Sequence, residues 1–191
     1  MVGNLSNFMK IDLLRCLLRI ENPVSRSHLS KSLELGEGTI RSILDILKGK
    51  GFLESNNMGH SLSEKGKSTL KKIKDNIDIE KISKINLFPD KKSIAIHVKS
   101  PNKIEKTVIL RDEAIKNGAE GALILKYDKK LKFYDMDYKE DFSQIETEFD
   151  LKKNDIIIVA YADSYKLAEY GALAAAVILN KPLANTINKL K

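Results

Sequence analysis

In the stretch "GEGTIRSILDILKGKG", Ile40, Ile43, Leu44 and Leu47 recur at i, i+3, i+4 and i+7. That spacing puts four apolar side chains on one stripe of a helix, whereas on a strand, with period two, they would be scattered over both faces. Such a helix must lie against a core. At about 100° per residue, Arg41, Ser42, Asp45 and Lys48 are turned away from the stripe.

The flanking segments give this helix a context. "FMKIDLLRCLLRI" reads as an amphipathic helix, and "ENPVS" breaks it because Pro23 disfavours helix at Asn22. Ser25 is a suitable N-cap for a short second helix, "RSHLSKSLEL", expected to end at Gly36. After the third helix, "KGKGF" offers Gly49 or Gly51 as a left-handed C-cap. "FLES" and "HSLS" read as short strands around the tip "NNMG", with Asn and Gly expected to supply positive φ angles. Ser63 caps a fourth helix, "EKGKSTLKKIKDNI", which carries five lysines. Three helices, a hairpin and a fourth helix follow the winged helix-turn-helix plan. In that plan the third helix enters the major groove and the hairpin reaches the flanking backbone.

The fold class expected for the whole chain is α+β. A winged helix over 1–76 and a connector over 77–92, able to contribute one short strand, lead to a small two-layer domain over 93–191. There "SIAIHVK" alternates as a strand, "KTVILRDEAIKNGAE" holds a helix ending near Gly118, and "GALILKYD" and "KLKFYDMD" flank a turn. "NDIIIVAYA" has the continuous apolar run of a central strand. A long helix then follows, capped by Asp163 or Ser164 and closed by Asn180 before Pro182. The expected sheet is mostly antiparallel, in a ββαββα-like order.

Bulk properties narrow the function classes. The chain is 42% hydrophobic and 31% charged, the balance of a globular protein. No apolar run approaches the roughly 18 residues of a spanning helix, so no membrane partner is expected. "MVGNLSNFMK" lacks a basic stretch followed by an apolar block, so no signal peptide is expected. The single cysteine, Cys16, excludes an internal disulfide and suits a cytoplasmic location. The net charge is +7, and residues 1–75 carry most of it, with 13 Lys or Arg against 8 Asp or Glu. A basic domain joined to a near-neutral one is what a reader of a polyanion coupled to a second function needs, although a lysine-rich surface serving solubility has the same balance.

Double-stranded DNA is therefore the expected partner. On the third helix Arg41 can offer a fork to guanine, Ser42 a hydroxyl to base or phosphate, and Thr39 a methyl to thymine or a hydroxyl to phosphate. Gly38 leaves room for a phosphate at the helix start. Asp45 either accepts from cytosine or pairs with Arg41, and Lys48 extends the same face. Ser25 and Arg26 stand where phosphate contacts are common in this plan. Asn56, Asn57 and His60 would carry the hairpin's contacts, and Lys65 and Lys67 add general attraction. Each of these is equally at home on an ordinary solvated surface.

No catalytic residue, cofactor or metal site is expected. His28, His60 and His97 fall in three elements with no Cys or carboxylate at ligand spacing. No glycine-rich phosphate cradle or GxSxG elbow is present. Seven acids between Asp135 and Asp150 could hold a hard cation but read as a hydrated loop. Two places in the second domain are candidates for a small-molecule effector. Arg111 and Asp112 are expected at the start of a helix, and Asp163 and Ser164 at the start of another, where free N–H groups can meet a polar ligand. Ala168, Gly171, Ala172, Ala175 and Ala176 form a small-residue stripe that lets a backbone come close, that of the protein's own sheet or of a second subunit.

The stretch from "PVSRSHLSKSLELGEGTIRSIL" to "SLSEKGK" resembles the winged-helix N-terminus of the central glycolytic genes regulator type and of related archaeal transcription regulators. "LRDEAIKNGAEGALILKY" and "AYADSYKLAEYGALAAA" resemble the C-terminal domain, of unknown function, that an archaeal family joins to it. The resemblance implies DNA binding and leaves the second domain's ligand unassigned. That domain is also similar in fold to the small insert domain of bacterial aspartyl-tRNA synthetases. "KLKFYDMDYKEDF" is more acidic than the resemblance implies.

Together these point to a transcription regulator, not an enzyme, working as a homodimer on a palindromic operator. The alternative is a winged-helix module that binds RNA or protein and is linked to translation.

Overall fold

The computed structural model describes residues 8–82, 88–99 and 101–190; the chain's first seven residues and part of the expected connector, 83–87, lie outside them. The fold is mixed α+β. Two compact units divide it, one holding the chain up to Ile73 together with its end from Asn185, the other Lys74–Ala184.

In the first unit, helices α1 (Lys10–Arg19), α2 (Arg26–Leu33) and α3 (Glu37–Gly49) precede a hairpin of β1 (Leu53–Asn56) and β2 (Gly59–Leu62), then α4 (Glu64–Lys74). The apolar stripe of α3 is buried as its spacing requires, together with Leu14 and Leu17 of α1 and Leu29 and Leu33 of α2. A buried ion pair shares this core. Arg15, 1% exposed, pairs with Asp12 at 3.0 Å and donates to the carbonyl of Leu33. Asp12 also accepts from the backbone of Met9, closing the first turn of α1.

Two local expectations are corrected. Helix α2 ends at Leu33 with Glu34 in the left-handed conformation (φ 55°), and Gly36 instead leads α3 in an extended conformation. The reversal is held by Leu35 N–H on the Ser30 carbonyl, so the left-handed residue must come before Leu35. In the hairpin only Gly59 takes a positive φ, 123°. Asn56 works through its side chain, whose Oδ1 accepts from Met58 N–H at 2.9 Å. Ser63 caps α4 as expected, accepting from Gly66 N–H and donating to the Gly51 carbonyl.

The second unit holds an open antiparallel sheet in the order β3-β4-β7-β5-β6. Its strands are β3 (Ile77–Ile82), β4 (Lys92–Val98), β5 (Gly121–Asp128), β6 (Lys130–Phe133) and β7 (Ile156–Ala162). β7 is the central strand its sequence implies. β3, read from sequence as part of the connector, pairs with β4 residue by residue from Ile77–Val98 to Ile82–Ser93. Helices α5 (Thr107–Lys116) and α7 (Tyr165–Leu179) pack on β4, β5 and β7. Within the small-residue stripe of α7, Gly171 lies against α5 and the turn that follows it: a Cβ there would meet Ala119 Cβ at 2.5 Å and the Ala114 carbonyl at 2.8 Å.

The other face of the sheet, with Ala95, Leu125, Ile157 and Val159, is covered by the acidic segment. That segment is more than a hydrated loop. Phe142 and Ile145, at the short helix α6 (Ser143–Glu146), insert into the core while the carboxylates stay outside. Thr107 donates to Asp135, and the Leu131 N–H donates to Glu146, tying the segment at both ends. A last helix, α8 (Lys181–Leu190), follows where the sequence implied a stop. Pro182 falls in its first turn, where its missing N–H costs nothing, and Asn180 caps it by accepting from Leu183 N–H at 2.8 Å. Among the described residues no helix is long and apolar enough to cross a membrane.

Candidate functional site

The residues expected to meet DNA lie on four elements of the first unit. The Ser25 hydroxyl accepts from His28 N–H at 3.2 Å and caps α2, so Arg26 is the first helical residue. Val24, just before that cap, exchanges two 2.9 Å backbone hydrogen bonds with His60 of β2. The hairpin is thereby fixed against the start of α2. Arg26 also reaches Glu37 at the start of α3, at 3.5 Å between partly exposed side chains.

Electrostatics shows which groups share one field. The imidazole of His60 is held below its ordinary proton affinity, first by partial burial, then by the charges of Lys48 and Arg26, with Asp45 opposing them. Hairpin, α2 and α3 therefore present His60, Arg26, Lys48 and Asp45 together. Arg41 is exposed on the same helical stripe as Asp45 and Lys48. Among the described residues no ion pair joins Arg41 to Asp45, so the expected orienting role of Asp45 on Arg41 has no support.

Some of the other expected contacts are already engaged within the fold. The Ser42 hydroxyl donates to the Gly38 carbonyl at 3.2 Å. Gly38 is exposed, with open space where a Cβ would stand, and Thr39 is half-buried. Asn56 and Asn57 are exposed at the hairpin tip. Lys65 donates to the Lys50 carbonyl at 2.6 Å and lies over the Phe52 ring, and Lys67 pairs with Glu64 at 2.7 Å. The last two serve local structure first.

In the second unit the two effector candidates are placed differently from expectation. Arg111 and Asp112 are exposed in the middle of α5, not at its start, because the helix begins at Thr107. The N-terminal N–H groups are therefore a turn away from them. Ser164 is the N-cap of α7, accepting from Leu167 N–H at 3.3 Å. Asp163 is paired with Lys91 at 2.7 Å, and Lys91 also holds Glu120 at 2.7 Å. These bonds raise the proton affinity of the Lys91 amine and lower that of the Asp163 carboxyl. Among the described residues no hydrogen bond or ion pair links the Arg111 and Asp112 pair to Asp163 and Ser164.

Sequence reasoning passed over a further cluster in this unit. His97 of β4, 1% exposed, has Asp155 on one side of its ring and Asp78 on the other. Its only sequence signal is a histidine at an inward position of the alternating strand "SIAIHVK".

Residues 11–68 match the family described as PH0730-like, N-terminal domain, and residues 89–179 match a domain of unknown function, DUF4443. No curated protein matches the chain. Among solved structures, the hypothetical protein PH0730 from Pyrococcus horikoshii OT3 is similar at 30% identity over 96% of this chain and 100% of that one, with a TM-score of 0.81. With both regions matched in order and the solved relative covered along its whole length, the chain belongs to the family of that archaeal hypothetical protein.

Proposed function

We propose that the protein is a DNA-binding transcription regulator: a winged helix reads an operator through α3, and the second unit dimerises, senses a small-molecule effector, or does both. The observation that supports this most is the joining of Val24 to His60. It sets the hairpin beside the capped start of α2, and His60 there shares one electrostatic field with Arg26, Lys48 and Asp45. An exposed helix face flanked by a fixed hairpin and edged with cations is what a major groove accepts. Arg41 is the base reader in this reading, Lys48 and Arg26 meet phosphate, and Gly38 admits the backbone. The protein acts in the cytoplasm as a homodimer, because one such module makes few base contacts and two related by a twofold axis double them.

Selection from a random duplex pool tests it. The expected product is an inverted repeat with half-sites about one helical turn apart. A pool that yields no motif, with structured RNA retained instead, would replace the operator by the translation-linked reading.

A further inference from the structure

Helix α5 keeps only part of its surface in the core. Thr107, Leu110 and Ala114 are buried where it packs on α7 and β5. On its outer side Val108, Arg111, Asp112 and Ile115 fall, at helical spacing, within an arc of about 100°. Val108 and Ile115 are 49% and 50% exposed, and Arg111 and Asp112 are exposed between them. Among the described residues neither the Arg111 nor the Asp112 side chain has an ion-pair or hydrogen-bond partner. Helix α7 extends this apolar surface. A Cβ on Gly118 would meet Leu167 and one on Gly171 the Ala114 carbonyl, so the two helices run antiparallel, with Leu167 by the end of α5 and Ile178 toward its start. Leu167 and Ile178 are exposed as well, so apolar side chains are grouped along this layer instead of being scattered singly.

The order of residues on this face is self-complementary. Val108 precedes Arg111 by three residues, and Ile115 follows Asp112 by three. In a twofold contact between copies of one surface, residue i meets j of the other copy and j meets i. An axis crossing α5 between Arg111 and Asp112 therefore sets Arg111 against Asp112 of the second copy and Val108 against Ile115, each twice. Parallel helices would instead set Arg111 against Arg111 and Asp112 against Asp112, so charge selects the antiparallel arrangement. We propose that α5, extended by Leu167 and Ile178, is the face through which two copies of this chain associate about that axis. This rests on the homodimer of the proposed function and names its surface. A helix of ten residues is about 15 Å long, too short to bury alone the roughly 800 Å² per partner of a standard interface. Leu167 and Ile178, toward its two ends, widen the contact, which is still small enough for a dissociation constant on the order of micromolar. The apolar side chains drive association, and the exposed ion pairs fix its register.

The test is sedimentation equilibrium of the full-length chain, without DNA, between roughly 1 and 500 μM. A monomer–dimer equilibrium is expected. Arg111→Asp and Asp112→Arg should each raise the dissociation constant roughly 10- to 100-fold, because two attractive pairs become two repulsive ones. The double exchange, Arg111→Asp with Asp112→Arg, should bring it back close to the parent value. Ile115→Glu should leave a monomer with unchanged far-UV circular dichroism; if that variant fails to fold, the charge exchanges, confined to exposed positions, decide. A dimer indifferent to the single exchanges overturns this face and leaves the homodimer of the proposed function standing on another surface. Weakening by both single exchanges with no rescue by the double one overturns the antiparallel pairing and the proposal with it. A parent chain that stays monomeric throughout overturns the face and the homodimer together, while the selection of duplexes still judges DNA binding by itself.

Discussion

Gly59 brings the hairpin so close to the start of α2 that a Cβ added there would stand 2.6 Å from the carbonyl oxygen of Val24. The residue also has φ 123°, a conformation that side chains resist. Gly59→Ala therefore meets both backbone strain and a backbone clash, and should cost about 1 to 3 kcal/mol. Urea denaturation measures this. An unchanged midpoint would mean that the hairpin moves freely away from Val24.

Arg41 and the lysines should separate by role in DNA binding. Arg41→Ala should cost about 1 to 3 kcal/mol and relax base preference at one position. Lys48→Ala should weaken all sequences alike and lower the salt slope by roughly one. Lys67→Ala should lower it less than Lys48→Ala, because Glu64 already holds the Lys67 ammonium. Affinity measured against salt on matched and mismatched duplexes distinguishes these, and equal loss on every sequence for Arg41→Ala would reduce it to a phosphate contact.

His60 should link DNA binding to pH. In the free protein, burial and the charges of Lys48 and Arg26 keep its pKa below the usual 6.5. Phosphates brought beside those cations cancel their repulsion and raise the pKa, so binding takes up a proton. Affinity should therefore rise as pH falls toward the lowered free-protein value, and His60→Gln should flatten that rise. Stability of the free protein should move the opposite way. The unfolded chain binds the proton more readily, so the contribution of His60 is complete above 6.5 and is lost as pH falls through the lowered folded-state value. Parallel measurements of affinity and thermal stability between pH 5 and 8 check both signs.

Arg15 should be the most sensitive polar residue of the first unit. Removing it leaves Asp12 and the Leu33 carbonyl buried with less compensation. Arg15→Leu should cost about 3 kcal/mol or more, while the double change with Asp12→Leu should cost less than the two changes added separately. Chemical denaturation of the three variants closes this cycle, and simple additivity would show that the pair is not coupled.

Several elements were legible in the sequence because their signals are local. The stripe of Ile40, Ile43, Leu44 and Leu47, the caps Ser25, Ser63 and Ser164, and the apolar run of β7 each depend on residues within a few positions. The failures are of the opposite kind. Glu34 takes the left-handed turn because of a bond to Ser30, and Pro182 opens α8 because Asn180 caps it from the preceding helix end. Arg111 and Asp112 were expected at a helix start because the apolar signal of "TVIL" does not mark its own first turn.

The sequence by itself determined where most helices and strands lie, α6 and α8 excepted, which faces they bury, and that the positive charge gathers in the first 75 residues. Periodicity and capping act over one or two turns, so the order of residues is enough to read them. Only the tertiary structure decided which polar groups meet. Val24 and His60, Arg15 and Leu33, and Asp78, His97 and Asp155 are brought together by strand pairing and helix packing across long stretches of chain. No spacing in the sequence encodes those distances, because they depend on how whole elements dock.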